Sequence, residues 1–550
     1  MNRPIIILLL LIGSNLILHA QVNRYFVYFS DKNAPDYSYS LENPGAFLTV
    51  DALDRRAQQS IVPDSTDLPV AASYLAGVSD LGADVYFSSK WLNGALVQMS
   101  ESLVATISNL AYVDSVALIA EKSRLSRTSE TVIVPTSFQS ITSMTGTSDL
   151  QLMMLNVDQM HREGYRGEGM RIAVLDNGFR GVNTYEPFSE IWSENRIVGT
   201  KDFVQNSGNV YQFGSHGTNV LSIIGAEYEN DTAQYIGAAP KAEFIFCITE
   251  ENGSEDRIEE YNWLLGAEFA DSLGADVINS SVGYRSFDIA DHNYDFKDTD
   301  GNSAIVSVAA TMAASKGIVV VTSAGNTGGS SNAQRKVVSH PADARGVFTV
   351  GSVMVNLDKS IFSSIGPTVD GRLKPDVSAF GDATAIVNSN GTITRGSGTS
   401  FSTPLIAGLV AGVWQANPSF TSEEIIRVVR RSAHLAESPN NLLGYGVPNY
   451  TFAVNGDRTL AVNDILDETI QVFPNPFQGD KLYLRSSQRI KGGLRIQIFD
   501  RQGRLMLEES IPARETKNDV TLQLENPDPG LYFLVLTAGE VQRTIKIINF

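Results

Sequence analysis

Ser400, His216 and Asp176 are the residues of this 550-residue chain whose types and order could make and drive a nucleophile. Ser400 follows the glycine-rich turn Gly396-Ser397-Gly398-Thr399 and stands at the start of an apolar helical run, Phe401-Ser402-Thr403-Pro404 and onward. His216 lies in Gly214-Ser215-His216-Gly217-Thr218, and Asp176 comes between the apolar run Ile172-Ala173-Val174-Leu175 and Asn177-Gly178. A serine hydroxyl needs a base to take its proton, and the base needs a carboxylate that fixes its tautomer and stabilises the imidazolium. His216 would be that base and Asp176 that carboxylate. A lone loop histidine is usually structural, and an isolated Asp-Asn-Gly is usually a turn. Together, and in the order Asp, His, Ser, the three point to hydrolysis through a covalent acyl intermediate.

These motifs resemble those of the subtilisin-like serine proteases, the subtilases. The resemblance runs from about Leu150 to Asn449, opening with Gly164-Tyr165-Arg166-Gly167-Glu168-Gly169 and closing with Gly444-Tyr445-Gly446-Val447-Pro448-Asn449. It implies a secreted endopeptidase that acts on proteins or peptides and requires no organic cofactor. The family's nucleophile directly follows Gly-Thr, which selects Ser400 over Ser402. Ser323-Ala324-Gly325-Asn326-Thr327-Gly328 matches the segment whose asparagine amide stabilises the oxyanion. The resemblance therefore gives Asn326 that role, with the backbone N–H of Ser400 as second donor. Asn279-Ser280-Ser281-Val282-Gly283 corresponds to the segment that pairs with extended substrate and lines the pocket for the residue before the cut bond. Ser281 and Gly283 are the candidate substrate-binding residues on that ground.

The chain departs from the family at Phe401, where many members have methionine, and at Ser402, where many have alanine. Asn219 replaces a common second histidine, and Ser222 a common glycine. Pro404 is expected in the first helical turn, where a missing N–H goes unnoticed. The competing reading is a catalytically silent subtilase-like surface adhesin whose β-domain supplies the function; an intact triad and asparagine argue against it.

Bringing residues so far apart together requires a scaffold. Apolar runs alternate with helical patterns across residues 150–455, which predicts an α/β fold: a parallel sheet with helices on both faces. The expected strands are Ile172 to Leu175, Phe244 to Ile248, Val277 to Ile278, Ile318 to Val321 and Val347 to Val350. Open α/β sheets gather reacting groups beyond the carboxyl ends of their strands, and Asp176, Ser281 and Asn326 each follow such a run.

The flanking regions read differently. Residues 1–20 have Arg3, the apolar run Ile5 to Ile12 and a small residue at Ala20, the pattern of a signal peptide; the run is too short for a membrane span. Residues 21–127 mix strand-like stretches (Tyr25 to Phe29, Leu96 to Met99) with a helical pattern over Glu101 to Leu110, and their placement suggests a small α+β propeptide rather than an accessory domain. Residues 128–149, rich in Ser and Thr, read as a linker, and so do 456–469. From 470 to 550, short alternating strands from Lys481 to Ile548 predict an all-β sandwich of about 80 residues. Its Pro474-Asn475-Pro476 entry, Gly530-Leu531-Tyr532 opening and Lys546-Ile547-Ile548 finish resemble the sorting domain of type IX secretion. That resemblance implies a partner, the secretion machinery, and a protein released from the cell or attached to its outer surface.

A formal charge of −19 argues against a nucleic-acid partner and suits an exported, soluble protein. Cys247 is the sole cysteine, so no intramolecular disulfide can form, and Phe244-Ile245-Phe246-Cys247 reads as a buried strand. The insertion Asp288 to Gly301 carries Asp291, Asp295, Asp298 and Asp300, which could offer oxygen ligands to calcium, although a solvated acidic loop fits the pattern better.

Overall fold

The computed structural model describes residues 22–121, 148–230, 233–456, 470–474, 477–486, 493–512, 519–538 and 541–549. The expected signal segment, most of both expected linkers, and Asn475 and Pro476 lie outside the described residues. The chain divides into two compact units. One comprises residues up to Tyr37 with Val70–Ser88 and Asn93–Leu125; the other comprises Ser38–Pro69, Ser89–Leu92 and everything from Ser126 onward.

The first unit is built on a four-stranded sheet of β1 (Val22–Phe29), β2 (Asp84–Ser89), β3 (Gly94–Ser100) and β4 (Val113–Ala120), in the order β2-β3-β1-β4. β1 pairs antiparallel with both β3 and β4. Tyr25, Val27, Val97 and Met99 turn inward and pack with Val78 and Ile107. The helix expected over Glu101 to Leu110 is a 3-10 turn at Glu101–Leu103 that widens into a short α-helix at Val104–Ser108.

The second unit holds a seven-stranded sheet of β5 (Arg171–Asp176), β6 (Ile197–Asp202), β7 (Glu243–Ile248), β8 (Val277–Ser280), β9 (Val319–Ser323), β10 (Phe348–Val353) and β11 (Val377–Phe380). The strands run in the order β11-β10-β9-β8-β5-β7-β6, and every pair is parallel. The five expected strands are all present. A strand enclosed on both faces carries apolar residues without alternation, and residues 172–176 are accordingly buried throughout. β6 was not legible because it lies at the sheet's edge and is only half-buried, so Gly199, Thr200 and Lys201 break its apolar run. β11, at the other edge, has only four residues.

Helices cover both faces. α1 (Val50–Gln58) precedes the sheet; α2 (His216–Gly225) and α5 (Thr399–Ala416) pack together, as do α3 (Ile258–Ser272) and α4 (Ile305–Ser315), and α6 (Ser422–Ser432) follows α5. α5 is buried from Phe401 to Trp414, all round rather than on one stripe, as a helix enclosed in a large core must be.

Beyond residue 470 the chain forms β12 (Ile470–Phe473), β13 (Lys481–Ser486), β14 (Leu494–Asp500), β15 (Leu505–Ile511), β16 (Asp519–Gln523), β17 (Gly530–Ala538) and β18 (Val541–Asn549). A three-stranded sheet, β12-β13-β16, faces a four-stranded one, β15-β14-β17-β18. Leu482, Leu484, Ile496, Leu522 and Leu534 fill the space between them. Phe499 and Val535 instead join the core of the α/β region.

Candidate active site

Asp176 ends β5, and Ser281 directly follows β8, the strand beside it. The chain leaves β5 in one direction to build β6 and β7 and returns on its other side to build β8, so these strand ends lie at the switch point where open α/β sheets hold ligands. His216 is the first residue of α2, and Ser400 the second of α5. The elements were legible; their convergence depends on close backbone approaches. Gly214, at φ +60°, lies where a Cβ would meet the Asn177 carbonyl oxygen at 2.0 Å, and a Cβ on Gly217 would stand 2.6 Å from the carbonyl of Gly178.

The two Asp176 oxygens lie 2.9 and 3.0 Å from His216 Nδ1. A carboxylate only accepts, so Nδ1 carries the proton and Nε2 is left as an acceptor. Asp176 is wholly buried, while 31% of the His216 side chain is exposed. Asp176 also accepts the backbone N–H of Asn177 at 2.8 Å, and the Asn177 side-chain oxygen accepts the His216 N–H at 3.1 Å. Burial lowers the imidazole's pKa, but the charge and hydrogen bond of Asp176, with a further contribution from Glu250, outweigh it and hold the pKa above the ordinary value.

Ser400 donates its hydroxyl to the Ser281 carbonyl at 3.0 Å, and among the described residues it makes no hydrogen bond to His216. The ring of the next residue, Phe401, lies 5.9 Å from the imidazole, centroid to centroid. Ser402, the neighbouring hydroxyl, is fully buried and donates to Thr399 O, so it is withdrawn from the cleft. Pro404 is the sixth residue of α5, beyond the first turn where it was expected. Its missing N–H would have bonded the carbonyl of Ser400 four residues back. Ser281 fills that vacancy, donating its hydroxyl to Ser400 O at 3.0 Å.

Asn326 follows β9 and is exposed. Its side-chain oxygen accepts both the N–H of Thr399 at 2.9 Å and the Thr399 hydroxyl at 3.0 Å, which turns the amide nitrogen outward beside Gly398. Ser281 is buried, 4% exposed, and Gly283 reaches the surface of the cleft. The cleft is a cavity of about 410 Å³ lined by Asp176, His216, Val282 and Gly283 together with Glu250, Glu251, Glu255, Glu259 and Asp288.

The four glutamates went unnoticed in the sequence, although Glu250 stands two residues beyond the end of β7, where reacting groups gather. Burial pushes the pKa values of Glu250 and Glu259 well up; the charges of Asp176 and Glu255 add to the effect at Glu250, and those of Glu250 and Glu255 at Glu259, while bonds from Tyr284 and Thr249 to Glu250 oppose it. No lysine or arginine pairs with Glu250, Glu251, Glu255, Glu259 or Asp288 among the described residues.

Elsewhere, Cys247 is fully buried, and burial raises its thiol pKa far above the usual value. In the acidic insertion, Asp295 and Asp298 cap a 3-10 turn reciprocally, and Asp300 accepts the N–H groups of Asn302 and Ser303. Among the described residues no group of three or more His, Cys, Asp or Glu is arranged to hold a metal. None of the described helices is long and apolar enough to cross a membrane. The hydroxyl of Ser222, a residue that stands where glycine is common in the subtilases, accepts the N–H of Val387 at 2.9 Å and so ties α2 to a neighbouring hairpin.

Residues 167–446 match the subtilase family. Residues 24–132 match the peptidase S8 propeptide domain of Bacteroidota, and 471–549 the secretion system C-terminal sorting domain. The chain is 30% identical over 302 residues to the thermostable alkaline protease of Halalkalibacterium halodurans, covering 54% of this chain and 70% of that one. It is 30% identical over 277 residues to subtilisin of Bacillus pumilus, covering 50% and 87%. Among solved structures, MycP1 from Mycobacterium smegmatis is similar with a TM-score of 0.45 and 23% identity, over 60% of this chain and 90% of that one.

The fold and these matches define a subtilisin-like serine endopeptidase, a hydrolase. The chain belongs to the subtilase family. It carries its own propeptide and a type IX C-terminal sorting domain, which marks it for secretion and for the outer cell surface.

Proposed function

We propose that the protein cuts peptide bonds of proteins through an acyl-enzyme, with Ser400 as nucleophile, His216 as general base and then acid, and Asp176 as the group that orients and stabilises the imidazole. The reading is carried by the buried Asp176 carboxylate, 2.9 and 3.0 Å from His216 Nδ1, which leaves Nε2 free to accept a proton beside the cleft. In the first step the Ser400 hydroxyl leaves the Ser281 carbonyl by rotation about Cα–Cβ. It gives its proton to Nε2 while Oγ attacks the substrate carbonyl carbon. The negative charge that develops on the carbonyl oxygen is met by the Asn326 amide and the backbone N–H of Ser400. Collapse expels the amine, which takes the proton from His216. Water, deprotonated by the same imidazole, then releases the acid and restores the serine.

Val282 and Gly283, which line the same cleft as His216, are suited to hold the extended substrate by backbone pairing. The N-terminal region is proposed to be removed by a cut in the linker 128–149, and the C-terminal sandwich to be the part read by the type IX machinery. The reading is tested by labelling with a fluorophosphonate probe after residues before about 150 have been removed. Labelling and casein cleavage, both abolished in Ser400→Ala, are expected. Protein that neither labels nor cleaves would favour the silent adhesin. Profiling the cleavage sites on a denatured proteome separates a digestive enzyme, with broad cleavage, from a processing protease with a narrow motif.

A further inference from the structure

The segment Ser38–Pro69, within the stretch that matches the propeptide domain, belongs to the compact unit of the catalytic sheet. Its contacts fall at one edge of that sheet, the edge where strands begin. Thr49 caps α1 and also donates its hydroxyl to Ser272 O, at the end of α3, at 2.8 Å. Arg55 donates to Ala275 O, just before β8, at 2.7 Å. Asp51 pairs with Arg171, the first residue of β5, at 2.9 Å. Gln59 donates to Gly317 O, just before β9, at 2.8 Å, and accepts the N–H of Ser422, the first residue of α6, at 2.8 Å.

Buried charges hold this segment in place. Asp271 of α3 is fully buried between Arg55 at 2.6 Å and Arg56 at 2.8 Å. Arg56 also pairs with Asp67 at 2.8 Å, and Lys316, at the end of α4, reaches Asp67 at 3.2 Å and Asp64 at 3.1 Å. Arg55, Arg56 and Lys316 are at most 4% exposed. Ser89–Leu92 adds Lys90, which donates to Ser272 Oγ at 2.8 Å, and Glu268 of α3 accepts the N–H groups of Lys90 and Trp91. None of these contacts involves Asp176, His216, Ser281, Asn326 or Ser400, which lie at the opposite ends of the strands. β5 alone, with six residues at about 3.3 Å each, puts the two edges roughly 16 Å or more apart.

We propose that residues 38–69 form a clamp that stays on the N-terminal edge of the catalytic sheet after the chain has been cut, bound through the buried Arg55–Arg56–Asp271–Asp67–Lys316 network and away from the catalytic centre. The inference rests on reading the N-terminal region as a propeptide that is cut off. Dissociation would leave Asp271 and Lys316 without their counterions, and it would break the bridge that Gln59 makes between the start of β9 and α6. Because the clamp touches no catalytic group, substrate turnover gives no reason for it to leave.

The test uses the full chain carrying Ser400→Ala and a recognition sequence for a site-specific protease inserted between residues 128 and 147. After cleavage, the N-terminal fragment is expected to co-elute with the remainder on size exclusion, with the amides at 272–277 and 317 still protected from hydrogen exchange. Arg55→Ala with Arg56→Ala should weaken the association by at least about 10²-fold, and Asp271→Asn should weaken it from the other side of the contact. A fragment that elutes alone from otherwise unaltered protein would overturn the proposal, and so would variants that bind as tightly as the parent. Hydrolysis plays no part in this measurement, so a chain that failed to label with the fluorophosphonate probe could still retain its clamp, and a labelling enzyme could lose it.

Discussion

The two edges of the seven-stranded sheet are built from similar residues to opposite ends. At the edge where strands begin, Asp271 meets two guanidiniums, and despite full burial Lys90, Arg55 and Arg56 hold its pKa down to about 2, whereas burial raises the pKa of Glu268 and takes that of Asp276 up to about 6. Burial lowers the pKa of Arg55, whereas Asp271 and Asp67 outweigh burial at Arg56; both guanidiniums remain charged at any pH the protein meets. At the edge where strands end, Glu259 is buried and Glu250 half-buried, no lysine or arginine pairs with either among the described residues, and their pKa values rise. Polar groups that are matched hold elements together, while groups left partly unmatched are available to a ligand or to chemistry. Ser400 and the outward amide of Asn326 lie at that second edge.

This contrast can be broken at several points. The largest effect is expected for Ser400→Ala: kcat should fall by about 10⁶-fold, a magnitude whose worked example is subtilisin, a relative of this chain, with circular dichroism and clamp retention unchanged. A comparable loss from a substitution at the clamp edge, with the fold intact, would erase the distinction between the edges. Next, Arg56→Ala leaves Asp271 and Asp67 buried with less compensation and should destabilise the Ser400→Ala protein by about 3–5 kcal/mol, read by urea denaturation. Asn326→Ala should lower kcat by about 10²–10³-fold with KM little changed, and should cost about 1–3 kcal/mol of stability through the Thr399 donors left unpaired.

The smallest effect concerns pH. The His216 pKa is raised, so the imidazole is protonated, and useless as a base, up to a higher pH than usual. The acidic limb of kcat/KM should therefore lie above the ordinary histidine value and rise through it. Glu250→Gln removes the fraction of negative charge that Glu250, with its pKa raised to about 8, carries in that range, so the limb should move down only slightly, by well under about one unit. A limb that moves upward would mean that Glu250 acts on substrate or fold and not on the imidazole.

Much of the catalytic edge was legible in the sequence. Asp176, Ser281 and Asn326 each follow an enclosed apolar strand, and such strands announce themselves because burial on both faces removes polar interruptions. β6 and β11 were not found, since one is half-buried and the other is only four residues long. Pro404 was located in the wrong turn because a helix start is hard to fix to the residue without seeing its cap. The clamp was invisible: the stretch from Val50 to Gln58 reads as an ordinary charged helix, and nothing local tells that Arg55 and Arg56 will lie buried against a carboxylate more than 200 positions away.

The sequence by itself determined which residue types stand in which local motifs, because Asp176, His216, Asn326 and Ser400 lie at the ends of strands and helices that follow from short-range patterns. Only the tertiary structure decided which charges would be paired. Pairing depends on the distance and burial of groups remote along the chain, and the same aspartate or glutamate becomes a rivet beside a guanidinium and a raised, unpaired acid beside a cleft.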